Sequence, residues 1–229
     1  MESTRNELKH NPHLYAMSLW DALPRPHVDF LNYMKDTLQF EPKVIYDIGA
    51  CVLHWTKEAK KIWPKSQIVL FDAMDATEFL YQDHLYHVGL LSNEDGNPLK
   101  FYENLIEPGG NSYYKENNDI IFPENVYIEK KSQKLDTVVA QKRFPVPDLV
   151  KIDVQGAETD VIKGALETFK SAKYLIVEMQ CVDYNRGAPK VDVTLPFIES
   201  LGWKCIARKF SDNGADADYC FQNTRTKIE

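Results

Sequence analysis

From Val44 onward the chain alternates short, densely apolar runs with stretches of helical spacing. Strands separated by helices, rather than joined by tight turns, require a mostly parallel sheet covered by helices, an α/β fold. The runs are residues 44–48, 67–71, 86–91, 149–153 and 174–178, with a further short strand at 98–102 behind the turn signal Asp95–Gly96. Helices are expected at 55–62, ended by Pro64, at 157–169, and at 193–201, closed by Gly202. The last two strands, 204–209 and 219–222, are joined by the short turn SDNGADA, so they cannot be parallel. Residues 104–125 are rich in Asn, Gly, Pro and Glu and read as a long loop of the kind that carries function or moves.

Ahead of the sheet, Val28, Leu31, Met34 and Leu38 recur at helical spacing behind Pro24 and Pro26. Residues 1–40 are therefore expected as a helical segment packed on the core, and 41–229 as the main domain. A chain of 229 residues suits one domain with a sizeable core.

Charge and cysteine usage narrow the partners. The formal net charge is −7 and the lysines are scattered. A nucleic-acid binder needs a basic surface to displace counterions, so no nucleic-acid partner is expected. No apolar run approaches the roughly 20 residues of a membrane span. The polar start MESTRNELKHNPH has no apolar signal segment. Cys51, Cys181, Cys205 and Cys220 form no CxxC pair and stand at no zinc-ligand spacing. They are expected as reduced thiols of a cytoplasmic protein.

The sharpest segment is VIYDIGACVLHWT, residues 44–56. An apolar strand runs into Asp47, then Gly49, then a helix, which is where doubly wound folds bind ligands. Gly49 lets ligand atoms approach the backbone, and Asp47 can accept hydrogen bonds from amides or from an ammonium group. A plain strand-to-helix turn would also want a glycine and an acidic acceptor. The second strand ends in Asp72, 25 positions after Asp47, where a carboxylate can take both hydroxyls of a ribose. A dinucleotide needs G-x-G-x-x-G to seat its pyrophosphate, and only Gly49 is present. An adenosine cofactor without a pyrophosphate suits this turn better, which points to S-adenosylmethionine.

The third segment is LVKIDVQGAETDVIKGA, residues 149–165. Lys151, Asp153, Gln155 and Glu158 crowd the carboxyl end of an apolar strand, and buried charge is costly without a role. An acidic preference at helix N-termini accounts for Glu158 but not for Asp153 with Lys151. Glu178, in LIVEMQ, adds a carboxylate on the same edge.

With these residues the chain resembles the FkbM family of S-adenosylmethionine-dependent O-methyltransferases over about residues 42–222. The most specific part is KIDVQGAETDVIKGA, similar to the family's K-I-D-V-E-G-A-E block followed by L-K-G. The DIGA turn, the acidic end of the second strand, LDTVV at 135–139, LIVEMQ and YNRGAP at 184–189 follow in order. The resemblance implies a class I methyltransferase (Rossmann-like) fold with a mostly parallel sheet and an antiparallel C-terminal hairpin. It implies that Asp47, Gly49 and Ala50 line the methionine end of the cofactor. Asp72 would hold the ribose with Ala73 beside the adenine, and Asp153 and Gln155 would lie near the methyl group. Asn111, Ser112 and Tyr113 match a loop that closes near the cofactor. The family often has Asn and Gly where this chain has Cys51 and Leu53, and usually Glu where it has Gln155. A neutral amide can serve neither as a base nor as a good metal ligand.

The implied reaction is methyl transfer to a hydroxyl, which needs a general base or a metal to activate it. Asp153 is the first candidate base with Glu178 assisting, and His54 and His87 stand in reserve. A divalent cation between Asp153 and Glu178 is the less favoured route. The acceptor is expected to be a sugar or glycan hydroxyl under the 104–125 loop and the segment near Trp20. Asn111, Ser112, Tyr113 and Tyr114 would offer it flat faces and hydrogen bonds, although the tyrosines could equally serve to pack the loop. A lipid, small-metabolite or nucleic-acid ribose acceptor, or a non-catalytic cofactor-binding module, are the alternatives.

Overall fold

The computed structural model describes residues 11–20, 23–210 and 214–225. Two helices come first, α1 (Pro12–Ser18) and α2 (Arg25–Asp36). The main domain then runs β1 (Val44–Ile48), α3 (His54–Ile62), β2 (Gln67–Asp72), β3 (Leu85–Val88), β4 (Leu90–Leu91), β5 (Pro98–Phe101), β6 (Ile128–Gln133), α4 (Leu135–Lys142) and β7 (Leu149–Ile152). It ends with α5 (Glu158–Lys163), β8 (Tyr174–Gln180), α6 (Val191–Ser200), β9 (Trp203–Phe210) and β10 (Asp216–Asn223).

The main sheet has the order β3-β2-β1-β7-β8-β10-β9. The first five strands pair in parallel, and β10 runs antiparallel to both β8 and β9. The hairpin expected at the C-terminus is therefore present, with its second strand inserted between β8 and the first. Residues 211–213 of its turn lie outside the described residues. Strand order switches at β1, flanked by β2 on one side and β7 on the other. Such a switch opens a crevice beyond the carboxyl ends of those strands.

Central strands are apolar on both faces because helices cover both. One face packs Tyr46, Ile48, Val150, Ile152, Leu175 and Val177 against Leu135 and Val138 of α4, Val161 and Ile162 of α5, and Ile198 of α6. The other packs Ile45, Leu70, Leu149 and Ile176 against Phe30, Leu31 and Met34 of α2 and Trp55, Ala59 and Ile62 of α3. The N-terminal helical segment thus closes one face of the core. Its first helix, α1, instead sends Leu14 against Val52 and Met74, over the turn that follows β1.

Three local expectations change. The helix expected over 157–169 is split at Gly164, which caps its first part and lies so close to Ser92 that a Cβ there would stand 2.1 Å from the Ser92 carbonyl oxygen. Only Glu158–Lys163 is α-helical, and a 3-10 turn, Thr168–Ser171, follows. The run 86–91 is interrupted at Gly89: β3 stays in the main sheet, while β4 leaves it for a small second sheet of order β4-β6-β5. Strand β6, IEKKSQ, has no apolar face and so gave no periodic signal.

Candidate active site at the carboxyl edge of the sheet

The turn after β1 is built by backbone constraint. Gly49 has φ +83°, and a Cβ there would stand 1.7 Å from the Asp153 carbonyl oxygen. Its glycine is therefore demanded by the end of β7, whatever binds nearby. The amides of Gly49 and Ala50 donate to the Phe71 carbonyl at 2.9 and 3.1 Å. Asp72 then ties this turn to the end of β2: its carboxylate accepts from the Cys51 amide at 2.7 Å and from the Met74 amide at 2.8 Å. Burial raises the Asp72 pKa, and these amides work against that rise. Each oxygen keeps a second acceptor site, since a carboxylate offers about four.

Beside this turn stands a buried charge cluster. Lys151 lies 3.1 Å from the Asp153 carboxylate, 3.6 Å from that of Asp47 and 3.4 Å from the Gly49 carbonyl. Burial opposes its charge, but Asp153 and Asp47 outweigh burial and hold Lys151 above the ordinary lysine range. Asp47 is wholly buried and bonded to the Thr56 hydroxyl. Burial pushes its pKa up against the pull of Lys151. Asp153 is 30% exposed and is the member of the cluster that reaches the cleft. Burial would raise its pKa, yet Lys151, Glu178 and Gln155 together bring it below the usual carboxylate range. Glu178 goes the other way: burial, then Asp153 and Asp218, hold it well above that range.

Gln155 joins the two carboxylates. Its amide nitrogen donates to Asp153 at 2.8 Å and to Glu178 at 2.7 Å. A cation placed between them would have to displace this amide. Among the described residues, no group of three or more His, Cys, Asp or Glu is arranged to hold a metal. The turn carrying Gln155 is clamped by Glu158, which accepts from the amides of Val154 at 3.0 Å and Gly156 at 3.1 Å.

These turns border a cleft that opens to solvent at the carboxyl edge of the sheet. Gly49, Asp72, Ala73, Asp153, Gln155, Asn111, Ser112 and Tyr113, all expected from the sequence, line it. Asp47, Ala50, Glu178 and Tyr114, also expected there, are not part of the wall. The loop is fastened over the cleft. Ser112 donates to the Val154 carbonyl at 3.3 Å, and the hydroxyls of Tyr113 and Tyr114 reach Asp160 at 3.2 and 2.9 Å. The hydroxyls of both tyrosines are thus engaged in holding the loop to α5. Asn185, in YNRGAP, adds a bond to the Tyr114 carbonyl at 2.6 Å. Trp20 is 58% exposed, away from the cleft wall.

The reserve histidines are also engaged. His54 bonds the Met17 carbonyl at 2.8 Å, and His87 bonds the Gln133 side chain at 2.8 Å. Burial lowers the His87 pKa. Sequence reasoning missed the apolar wall of Leu90, Leu91 and Phe101, which comes from the small sheet, and a pair formed by His27 and Asp218. Those two lie 191 positions apart, and no local pattern joins them.

The parallel sheet, its switch at β1 and the cleft beyond it define a class I methyltransferase fold. Residues 47–205 match the methyltransferase FkbM domain, and the chain belongs to that family. Among solved structures, the cofactor-bound Rv0187 from MTB superposes with a TM-score of 0.54 at 13% identity, over 95% of this chain and 92% of that one. Methyltransferase FkbM from Methylobacillus flagellatus KT superposes with a TM-score of 0.52 at 12% identity, over 78% of this chain. The match spans only 43% of the length of that relative. No curated protein sequence matches. Among the described residues no helix is long and apolar enough to cross a membrane.

Proposed function

We propose that this methyltransferase uses S-adenosylmethionine and transfers its methyl group to a hydroxyl, that of a sugar or glycan. The observation that carries the reading is the cleft itself, which joins Asp72 at the end of β2 to Asp153 at the end of β7 across the Gly49 turn. That donor set fits the cofactor. Asp72 has spare acceptor capacity for a ribose, and Phe71, Ala73 and Leu90 offer an apolar seat for a base. When bound, S-adenosylmethionine supplies a methyl group activated by a sulfonium. The chain supplies position: Gly49 keeps β1 and β7 close enough to share one ligand, and Asp153, ionised and pinned by Lys151, presents a fixed acceptor to the incoming hydroxyl. The 104–125 loop, latched on Asp160, excludes water. A neutral polyhydroxyl acceptor suits a site with carboxylates, Asn111 and Ser112 at its wall, and a chain of net charge −7.

Calorimetry with S-adenosylmethionine and S-adenosylhomocysteine tests the cofactor. Asp72→Ala should weaken both by about 1.5–3 kcal/mol, the range for a charged hydrogen bond. Unchanged affinity in a variant that is still folded would remove Asp72 from the site. Labelled methyl transfer to a glycoside panel, with RNA and lipid vesicles alongside, tests the acceptor. Efficient labelling of RNA or lipid with no labelled glycoside would overturn that half of the reading.

A further inference from the structure

Of the two carboxylates joined by Gln155, Asp153 lines the cleft and Glu178 does not. Lys151 and its neighbours hold the Asp153 carboxyl below the usual range against burial, a poor setting for taking a proton, and burial and Asp153 hold that of Glu178 well above it. His54 and His87 are bonded to Met17 and Gln133. A third imidazole stands at this edge. His27, in the first turn of α2, bonds through Nδ1 to the carboxylate of Asp218 on β10. Asp218 lies directly opposite Glu178 in the β8–β10 register. Directly opposite residues of an antiparallel pair share a face, so the carboxylates of Asp153, Glu178 and Asp218 form a row with His27 at its end.

We propose that His27, held by Asp218, is the group that takes the proton of the methyl acceptor. This rests on the cofactor reading above. The acceptor oxygen forms its bond to the methyl carbon as the sulfur–methyl bond breaks. The electron pair of that bond stays on sulfur, which becomes a neutral thioether, and the acceptor's proton moves to Nε2 of His27. The geometry favours that nitrogen. A carboxylate on Nδ1 fixes the hydrogen there and leaves Nε2 with its lone pair. Among the described residues Nε2 has no hydrogen-bond partner, and the side chain, which is not part of the cleft wall, is 21% exposed. The charged groups acting on the ring are Asp218 of β10 and Asp153 and Lys151 of β7. Lys209 of β9 stands opposite Asp218, and Arg25 on the same helix lies 3.9 Å from Asp29. Burial lowers the His27 pKa, but Asp218 and Asp153 outweigh it and raise it above 6.5.

The test is a ¹⁵N-detected titration of the histidine rings in the full chain, with His27 assigned through His27→Gln. It is run without ligand, with S-adenosylhomocysteine and with S-adenosylmethionine. The nitrogen shifts should show hydrogen on Nδ1 in the neutral ring. The midpoint should lie above 6.5 and fall in Asp218→Asn. It should be about one pH unit lower with the cationic sulfonium than with the neutral thioether, as expected for two charges facing each other through partly hydrated protein. Equal midpoints with the two ligands, or hydrogen on Nε2, would overturn the assignment. Failure of both ligands to bind by calorimetry would instead overturn the cofactor reading beneath it.

Discussion

Lys151 is the one cation among the described residues of the buried cluster, and its removal is worked here as Lys151→Met. Methionine keeps the stem length, and the contact region near the Trp55 ring, 6.0 Å from the ammonium, stays filled. At an effective dielectric of about 20, carboxylates at 3.1 and 3.6 Å each attract the ammonium by roughly 5 kcal/mol. Most of that is cancelled by the desolvation of a lysine that is 5% exposed. The variant, however, leaves Asp47 wholly buried with only the Thr56 hydroxyl for company. Breaking a buried pair in this way costs about 3–5 kcal/mol. The sign of the pH dependence follows. Without Lys151, the folded-state pKa of Asp47, already raised by burial, rises further, and Asp153 loses the main pull that holds it below its unfolded value, so that burial raises it. A group raised on folding contributes stability that is present at low pH and lost as pH climbs through the folded value. Urea unfolding should therefore show the full loss at pH 8 and only about 1–2 kcal/mol at pH 5, where the carboxylates take up protons. A loss under 1 kcal/mol at pH 8, or an equal loss at both pH values, would refute the claim that Lys151 neutralises this cluster.

Two further outcomes follow from the β7–α5 turn. Glu158 is pushed up from 4.5 to about 7, chiefly by burial, so its contribution to stability is full below pH 4.5 and lost as pH rises through 7, by about 3 kcal/mol; Glu158→Gln keeps the oxygen that accepts from Val154 and Gly156 and should flatten that part of a pH–stability curve, whereas an unchanged slope would assign it to other groups. Gln155→Glu, which restores the residue usual in the family, replaces two donated hydrogen bonds with a third carboxylate; urea unfolding at pH 8 should show about 1–3 kcal/mol less stability, with a smaller deficit at pH 5, and equal stability at pH 8 would mean that the amide bridge is not stabilising.

How much of this was legible in the sequence depended on distance along the chain. Strands β1, β2, β7 and β8 announce themselves because burial on both faces leaves each one a continuous apolar run. Strand β6 does not, since most of its side chains face solvent and its place is fixed by backbone pairing with β4 and β5. Gly49 and Asp72 were visible as types, but not the reasons for them. One glycine answers to the carbonyl of a residue on β7, and one carboxylate spans two turns. The electrostatic setting of Asp153 was hidden for a related reason. Lys151 and Gln155 belong to its own segment, while Glu178, and Asp47 acting on Lys151, come from two others.

The backbone around the cleft carries a further sign of specialisation. Cys51 (φ +44°), Leu53 (φ +71°) and Gln155 (φ +54°) are non-glycine residues in the left-handed region, and they sit in the two turns that follow β1 and β7. Each such residue costs about 1–2 kcal/mol and persists only where its surroundings over-determine it. Here they do. The Cys51 amide donates to Asp72 and its carbonyl accepts from the Tyr81 hydroxyl at 2.6 Å. Leu53 is buried in the cluster of Phe30 and Ala59, and Gln155 is held by two carboxylates with Glu158 clamping both flanks. Asn and Gly, the residues often found in the family at the first two positions, adopt this conformation at lower cost. The chain keeps the same turn with residues less suited to it because Leu53 returns about 1.5–3 kcal/mol by burial, enough to offset its strain. The shape of the turn is therefore set by what surrounds it rather than by the intrinsic preference of its residues.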